Sequence, residues 1–435
     1  MNVLLIPIGS SGDVYPFLGI GQTLKRRGHS VTVITNGHFR GVVERSGLRF
    51  IEFGTAEQYL SLLDNPDLWH PTKALRILLE LVVERTPSLY ELIRANIVEG
   101  DTVVAAGSLA FAARIAQEKI GVPTVMIHLQ PSMIRSALAP PVYSGLRIPS
   151  WLPHMITRGL FRLADVLVDH QVGKRLNSFR ATLGLAPARH FMGNWWHSSP
   201  LTLGLFPDWY CAPQKDWPPQ VRLTGFPLFD GAGIEPVSPG LEEFLVAGQA
   251  PVVFTAGTAM KVGGEFFRES VEACREGGFR GVLLTQFPDQ LPNDRPENVR
   301  HFSYAPFSRL FPRAAAVVHH GGIGTTAEAL RSGRPQLIMP LSHDQPDNAD
   351  RVQRLRCGEW ILPKNYKAPL VAATLRRLID NREMNAACKA VSANFEAVSA
   401  LEKTCDLIEQ AAKENGNSGE RLLTPGGKQQ PETHK

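Results

Sequence analysis

The stretch Val317-Val318-His319-His320-Gly321-Gly322-Ile323-Gly324-Thr325-Thr326-Ala327-Glu328-Ala329-Leu330 decides the fold. An apolar run of strand length feeds a glycine-rich turn, and the turn opens a helix that carries two hydroxyls. That order makes one βα unit of a parallel sheet. Gly322 and Gly324 let the backbone approach a ligand closely. Free N–H groups and the dipole at a helix start attract phosphate, and Thr325 and Thr326 add hydroxyl donors. His320, at the strand end, is placed to stabilise a diphosphate, and Glu328, one turn inside the helix, to bind the 2′ and 3′ hydroxyls of a ribose. The bland readings are a structural tight turn and a satisfied strand-end histidine pair.

The next βα loop, Leu341-Ser342-His343-Asp344-Gln345-Pro346-Asp347-Asn348, follows a predicted strand over 336–340. Open α/β sheets bind ligands at the carboxyl ends of their strands, so Asp344 and Gln345 can hold the vicinal hydroxyls of a sugar there. Further buried strands are predicted over 252–255, 281–285, 299–302 and 315–319. In the first half of the chain they fall over 3–8, 30–35, 48–53, 101–106 and 123–128, with helices over 15–27, 38–46 and 110–120. Strands apolar throughout and separated by helices imply parallel sheets covered on both faces. The turn Gly9-Ser10-Ser11-Gly12-Asp13 opens the first helix. Asp13 is either the cap of that helix or a general base whose pKa burial in a cleft would raise.

Between the halves, 225–239 turns to Pro, Gly and Asp, the mark of a linker. The expectation is an α/β domain over 1–224, a second over 240–412 whose last helix is free to pack back on the first, and a disordered tail over 413–435. Two stretches interrupt the βα rhythm. Residues 66–96 are helical and rich in Leu, Ile and Val, and 132–217 hold Trp151, Trp195, Trp196, Trp209 and Trp217, five of the seven tryptophans. Such insertions either build a pocket or anchor long loops on a core.

With 435 residues, 43% hydrophobic and 20% charged, the chain is long enough for two cores. Lys and Arg (46) exceed Asp and Glu (41) by five, but the basic residues are scattered, which argues against a nucleic-acid partner. A group of them, Arg158, Arg162, Lys174, Arg175 and Arg180, sits among apolar residues over 155–184; it reads as a solvated face or as a weak peripheral membrane contact. Five widely spaced cysteines and an apolar start without a basic flank point to a reduced, cytoplasmic protein. No Walker A pattern, no GxGxxG at the first turn and no HExxH or metal-type cluster occurs, so neither a metal nor a bound cofactor is expected.

Taken together these residues resemble the family 1 glycosyltransferases of the GT-B fold, in their bacterial branch of glycopeptide, macrolide and sterol glucosyltransferases. The resemblance covers roughly 1–412 and is most specific over 304–348. It implies two Rossmann-like, doubly wound domains facing each other across a cleft, the first for the acceptor and the second for a nucleotide sugar. Tyr304-Ala305-Pro306 stands where the family places an aromatic against the uracil. His320 matches the diphosphate histidine, Thr325 the phosphate hydroxyl, Glu328 the ribose carboxylate, and Asp344 with Gln345 the sugar pair. Gly257-Thr258 resembles the family's phosphate-side Gly-Ser. Gly12 joins the donor contacts, and Tyr15, Trp69, Ser108, Trp195 and Trp196 are assigned to the acceptor. Many members carry histidine as the acceptor-activating base where this chain has Asp13.

The implied activity is an inverting, metal-independent transfer of a hexose, glucose by preference, from a UDP-sugar to a hydroxyl of a hydrophobic small-molecule or lipid acceptor. Asp13 and His320 form its catalytic pair. Trp196-His197-Ser198 and Thr224-Gly225-Phe226-Pro227-Leu228-Phe229-Asp230 are also similar to the rhamnosyltransferases of rhamnolipid synthesis. That likeness implies a dTDP-sugar and a hydroxy-fatty-acid-type lipid. A nucleotide-sugar epimerase and a non-catalytic nucleotide-sugar sensor are the remaining alternatives. The oligomeric state is not legible.

Overall fold

The computed structural model describes residues 1–421 apart from 71–72, 150, 198–199 and 396–398. Its first half runs β1 (Asn2–Ile6), α1 (Ser11–Arg26), β2 (Ser30–Thr35), α2 (Arg40–Arg45), β3 (Arg49–Glu52), α3 (Ala56–Leu63), α4 (Ala74–Ala95), β4 (Thr102–Gly107), α5 (Phe111–Ile120), β5 (Thr124–His128), α6 (His154–Thr182), β6 (Leu201–Gly204) and β7 (Val221–Leu223). The second half runs α7 (Leu241–Val246), β8 (Val252–Thr255), α8 (Gly264–Gly277), β9 (Gly281–Leu284), β10 (Val299–Phe302), α9 (Phe307–Leu310), β11 (Ala316–His319), α10 (Ile323–Arg331), β12 (Gln336–Ile338), α11 (Gln345–Arg354), β13 (Gly358–Trp360), α12 (Ala368–Asp380), α13 (Arg382–Ala393) and α14 (Ala400–Arg421).

Each half is one wholly parallel sheet. The first has the order β3-β2-β1-β4-β5-β6-β7 and the second β10-β9-β8-β11-β12-β13. Both orders reverse direction at one place, between β1 and β4 and between β8 and β11. Such switch points are where doubly wound sheets open a crevice for a ligand. The expected pair of doubly wound sheets is therefore present.

Successive strand residues point to opposite faces, so each strand feeds two cores. In β1, Leu4 and Ile6 pack with α4, α5 and α6, while Val3 and Leu5 pack with α1 and α14. A further core lies between the halves. Phe206, Tyr210, Trp217 and Phe226 from the first half and the linker meet Ala327, Leu330, Ala349 and Val352 from the second.

β6, β7 and β13 have no counterpart in the sequence reading. They hold four, three and three residues, too few to show a pattern, and they form through pairing with longer neighbours. Helix α14 runs to Arg421, past Lys413, where the tail was expected to start; residues 422–435 lie outside the described residues. Extending an existing helix costs far less than starting one, so polar residues follow its packed part. That part, Cys405, Ile408 and Ala411, sits on the first half's core. Arg27, which caps the end of α1, pairs with Glu402, Asp406 (2.7 Å) and Glu409 (3.2 Å).

Candidate functional site

The two switch points face each other across a cleft of about 1200 Å³. Its walls carry residues 9–13 after β1, Ser108 after β4, Gly257 and Thr258 after β8, and His320, Gly322, Gly324, Thr325 and Glu328 after β11. His343, Asp344 and Gln345 after β12 complete the second wall.

On the first wall, Asp13 is the third residue of α1, not its cap; the cap is Ser10. The Asp13 carboxylate reaches back and accepts from the Ser10 amide (2.7 Å) and the Ser10 hydroxyl (3.1 Å), both at Oδ2. Gly9 makes this fold-back possible. It has φ 144°, and a Cβ there would stand 2.2 Å from Asp13 Oδ2. Burial pushes the Asp13 pKa from 3.8 up to about 6; the Ser10 bonds pull it down, and the negative charge of Asp344 across the cleft adds to the rise. Such a carboxyl is largely ionised at neutral pH and still basic enough to take a proton.

On the second wall, the two histidines of β11 diverge. His319 is satisfied within the protein: its Nδ1 accepts from the Gly321 amide at 3.0 Å, so the hydrogen is on Nε2, 2.9 Å from Gln336 Oε1. His320 faces the cleft, and its Nδ1 is buried with no partner. Burial lowers its pKa to about 3. The imidazole is therefore neutral, and it meets an anion as a hydrogen-bond donor, without a full positive charge. Glycines on both sides make room for the ring. A Cβ at Gly257, where φ is 92°, would lie 2.8 Å from it, and one at Gly322 would lie 2.5 Å from its Nε2.

Helix α10 starts at Ile323, with Gly322 as its cap, so Gly324 and Thr325 lie in the first turn, where amides lack helical partners. Glu328 is buried, which raises its pKa to about 7. Arg331 donates twice to its Oε2, at 2.9 and 2.6 Å. Burial likewise pushes Asp344 up to about 6, against the Asn348 amide, which donates to its Oδ2 at 2.6 Å. Gln345 Oε1 is taken by the amides of Leu341 (2.7 Å) and Ser342 (3.1 Å), which leaves its NH₂ for a ligand. Tyr304 lines the cleft, and its hydroxyl donates to the Asp230 carbonyl of the linker (2.7 Å).

Beside Asp13 runs a buried hydrogen-bond chain: Ser108 Oγ to His128 Nδ1 (2.7 Å), His128 Nε2 to His197 Nδ1 (2.9 Å), and His197 Nε2 to Trp196 Nε1 (3.3 Å). An indole N–H can only donate, so it fixes every hydrogen along the chain. His197 Nε2 accepts, its Nδ1–H donates to His128 Nε2, and His128 Nδ1–H donates to Ser108. Burial holds both imidazoles neutral, His197 at about 4 and His128 well below the usual histidine range. The Ser108–His128 pair therefore runs opposite to a nucleophile and its base. Ser108 accepts, and its own proton is offered to the cleft or, weakly, to the Ile127 carbonyl at 3.4 Å.

Residues 3–138 match the glycosyltransferase family 28 N-terminal domain, and residues 284–403 match the erythromycin biosynthesis protein CIII-like C-terminal domain. The chain is 29% identical over 431 residues to O-mycaminosyltylonolide 6-deoxyallosyltransferase of Streptomyces fradiae, covering 95% of this chain and 98% of that one. It is 29% identical over 364 residues to glycosyltransferase GtfE of Amycolatopsis orientalis, covering 82% and 85%. Among solved structures, the glycotransferase of kitacinnamycin superposes with a TM-score of 0.72 at 18% identity (94% and 99% covered). Glycosyltransferase VinC, in complex with dTDP, superposes with 0.68 at 20% (95% and 100%). The chain is a glycosyltransferase of the GT-B fold.

In this glycosyltransferase the apolar wall beside Asp13 comes from α3 and α4. Leu62, Leu75, Leu78, Leu79, Val82 and Leu89 line it, a use of the Leu-rich stretch that no single residue in the sequence reading named. Tyr15, Trp69, Ser108 and Trp196 reach the cleft. Trp195 does not. It packs edge-on against Phe111 and Phe191 and donates from Nε1 to Glu118 (2.9 Å), so it is a core residue. Trp209 and Trp217 belong to the core between the halves, and Trp151 points outward. Pro306 also misses the cleft. It caps α9 through its carbonyl, and its neighbours Ala305 and Phe307 form the wall. His343 was missed as well. Its Nε2–H donates to the Leu68 carbonyl (2.9 Å), tying the second wall to the first beside Asp13. An imidazole in a polar loop carried no signal of that contact. Among the described residues no group of three or more His, Cys, Asp or Glu could hold a metal ion, and no helix is long and apolar enough to cross a membrane.

Proposed function

We propose that the cleft transfers a hexosyl group, with inversion, from a pyrimidine nucleoside diphosphate sugar to a hydroxyl of an apolar acceptor. One observation carries the reading: a carboxyl with its pKa near 6 at one switch point confronts, across a single cleft, an unsatisfied imidazole and a helix N-terminus at the other. The acceptor lies against the α4 leucines, and its hydroxyl oxygen attacks the anomeric carbon while Asp13 takes the proton. The bond from that carbon to the diphosphate breaks, and the negative charge that develops meets His320, the first amides of α10 and the hydroxyls of Thr258 and Thr325. Asp344 and the Gln345 amide grip the sugar, and Tyr304 flanks the base.

Glu328 favours a UDP-sugar, because a second ribose hydroxyl gives its carboxylate another donor. A dTDP-deoxysugar is the second reading, supported by the dTDP held by VinC and the 6-deoxyallosyl group named for the Streptomyces relative. Incubating the protein with UDP-glucose, dTDP-glucose and a dTDP-6-deoxyhexose, each with a panel of apolar alcohols, tests both. Transfer with inverted anomeric configuration by NMR supports the proposal. Retained configuration, or an epimerised free nucleotide sugar without transfer, refutes it.

A further inference from the structure

Helix α6 carries a face that the other described residues leave open. Met155 is 83% exposed, Leu163, Val166 and Leu167 are 57% each, and Ile156 and Leu160 are 50% and 45%. At 3.6 residues per turn these six fall within one sector of roughly 140°. The opposite side, Asp165, Val168, Val172 and Leu176, is buried against the first half. Trp151, 79% exposed, precedes the helix by three residues. Arg158 and Arg162 run along one edge and Lys174 lies beyond its end, all exposed. None of the three has an ion-pair partner within 4.0 Å among the described residues.

We propose that this face of α6 docks on an anionic lipid surface. An exposed apolar helix stripe with cations along its edge and an indole at its head is the pattern of a helix lying in a membrane interface. There the apolar side enters the acyl boundary and the indole stays at headgroup level. The cations say which surface: unpaired Arg158, Arg162 and Lys174 complement anionic headgroups. A symmetric pair of copies would bring the same cations toward each other, which argues against a second chain as the occupant. The loop leading into α6 gives the face its use. Tyr143 and Ser144 line the cleft, and Leu146, two residues on, is 56% exposed. The chain therefore runs from the wall of the cleft into the docking face.

The test is co-flotation of the full chain with vesicles of phosphatidylcholine alone or with about one third phosphatidylglycerol. It contains no nucleotide or acceptor, so its result stands apart from the transfer reaction. The expected result is flotation with the anionic vesicles only, weakened by salt, cut roughly tenfold or more in the R158Q/R162Q double variant and abolished in L163E/L167E. These positions are exposed, so the variants fold; circular dichroism checks it. Absence of flotation, equal flotation on neutral vesicles, or flotation that survives L163E/L167E overturns the proposal. A dimer in light scattering that L163E/L167E splits, without flotation, overturns it in favour of a second copy.

Discussion

Changing Asp13 to Asn tests the catalytic reading and the electrostatic one together. A base with its pKa near 6 in the free protein is about one-tenth ionised at pH 5 and about nine-tenths at pH 7. kcat/KM should therefore rise about tenfold between these values and level off above pH 7. Asn cannot take a proton. D13N should lose this acid limb and about 10²–10⁴ of the turnover, with nucleotide affinity little changed. Stability should move the other way. In the unfolded chain the carboxyl ionises near 3.8 and in the folded protein near 6, so folding favours its neutral form. Its contribution is present below 3.8 and is lost as pH rises through 6. Above that the folded state bears a cost of at most about 3 kcal/mol, lessened by the water that reaches the half-buried group. Asn keeps an oxygen for the Ser10 amide and removes the cost, so D13N should unfold at higher temperature than the wild type at pH 7.5, a gap that closes by pH 4. The assays are initial rates across pH and thermal melts at both pH values. A flat rate profile from pH 5 to 7, or D13N with wild-type turnover, refutes the reasoning.

His320→Ala removes a neutral donor from the diphosphate and should weaken nucleoside diphosphate binding by roughly tenfold, uniformly from pH 5 to 8, by calorimetry. Loss of affinity confined to low pH would mean that the ring binds as a cation. Glu328, with its pKa near 7, accepts hydroxyl donors best when ionised, so UDP affinity should rise from pH 6 to 8, with a smaller rise for dTDP; E328Q should flatten both curves. Trp196→Phe removes the one-way donor that orders the histidine chain. Nitrogen NMR should then report mixed tautomers at His128 and His197, and KM for the acceptor should rise several-fold while nucleotide binding is unaltered. A single unaltered tautomer would show that something else sets the direction.

Much of the second wall of the cleft was legible because its residues are placed locally. A glycine turn between an apolar strand and a helix places His320, Thr325 and Glu328 by chain geometry alone, and Asp344 follows one strand later in the same way. The first wall depends on contacts distant in sequence, and there the reading succeeded for some residues and failed for others. Trp195 and Trp196 are adjacent, yet one turns into the α5 core and the other into the cleft; tryptophan's apolar bulk serves both. Ser108, His128 and His197 lie 20 and 69 residues apart; the parallel pairing of β4 with β5 brings the first two together, and the turn over Phe191–Trp195, packed on the core beneath α5 and α6, brings up His197. β6 itself is four residues long and gave no period to read. Asp13 was legible as a candidate, but its fold-back onto Ser10 depends on the positive φ of Gly9.

The return of α14 onto α1 has a consequence for modularity. The backbone passes between the halves twice, once through the linker and again ahead of α14, so a body cut at the linker alone is not a complete unit. Its first half would present the bare seat of Cys405 and Ile408 to water, and its second half would trail an apolar helix with no home. Chimeras that exchange the two halves with a relative therefore have two seams, and α14 must travel with the α1 on which it rests.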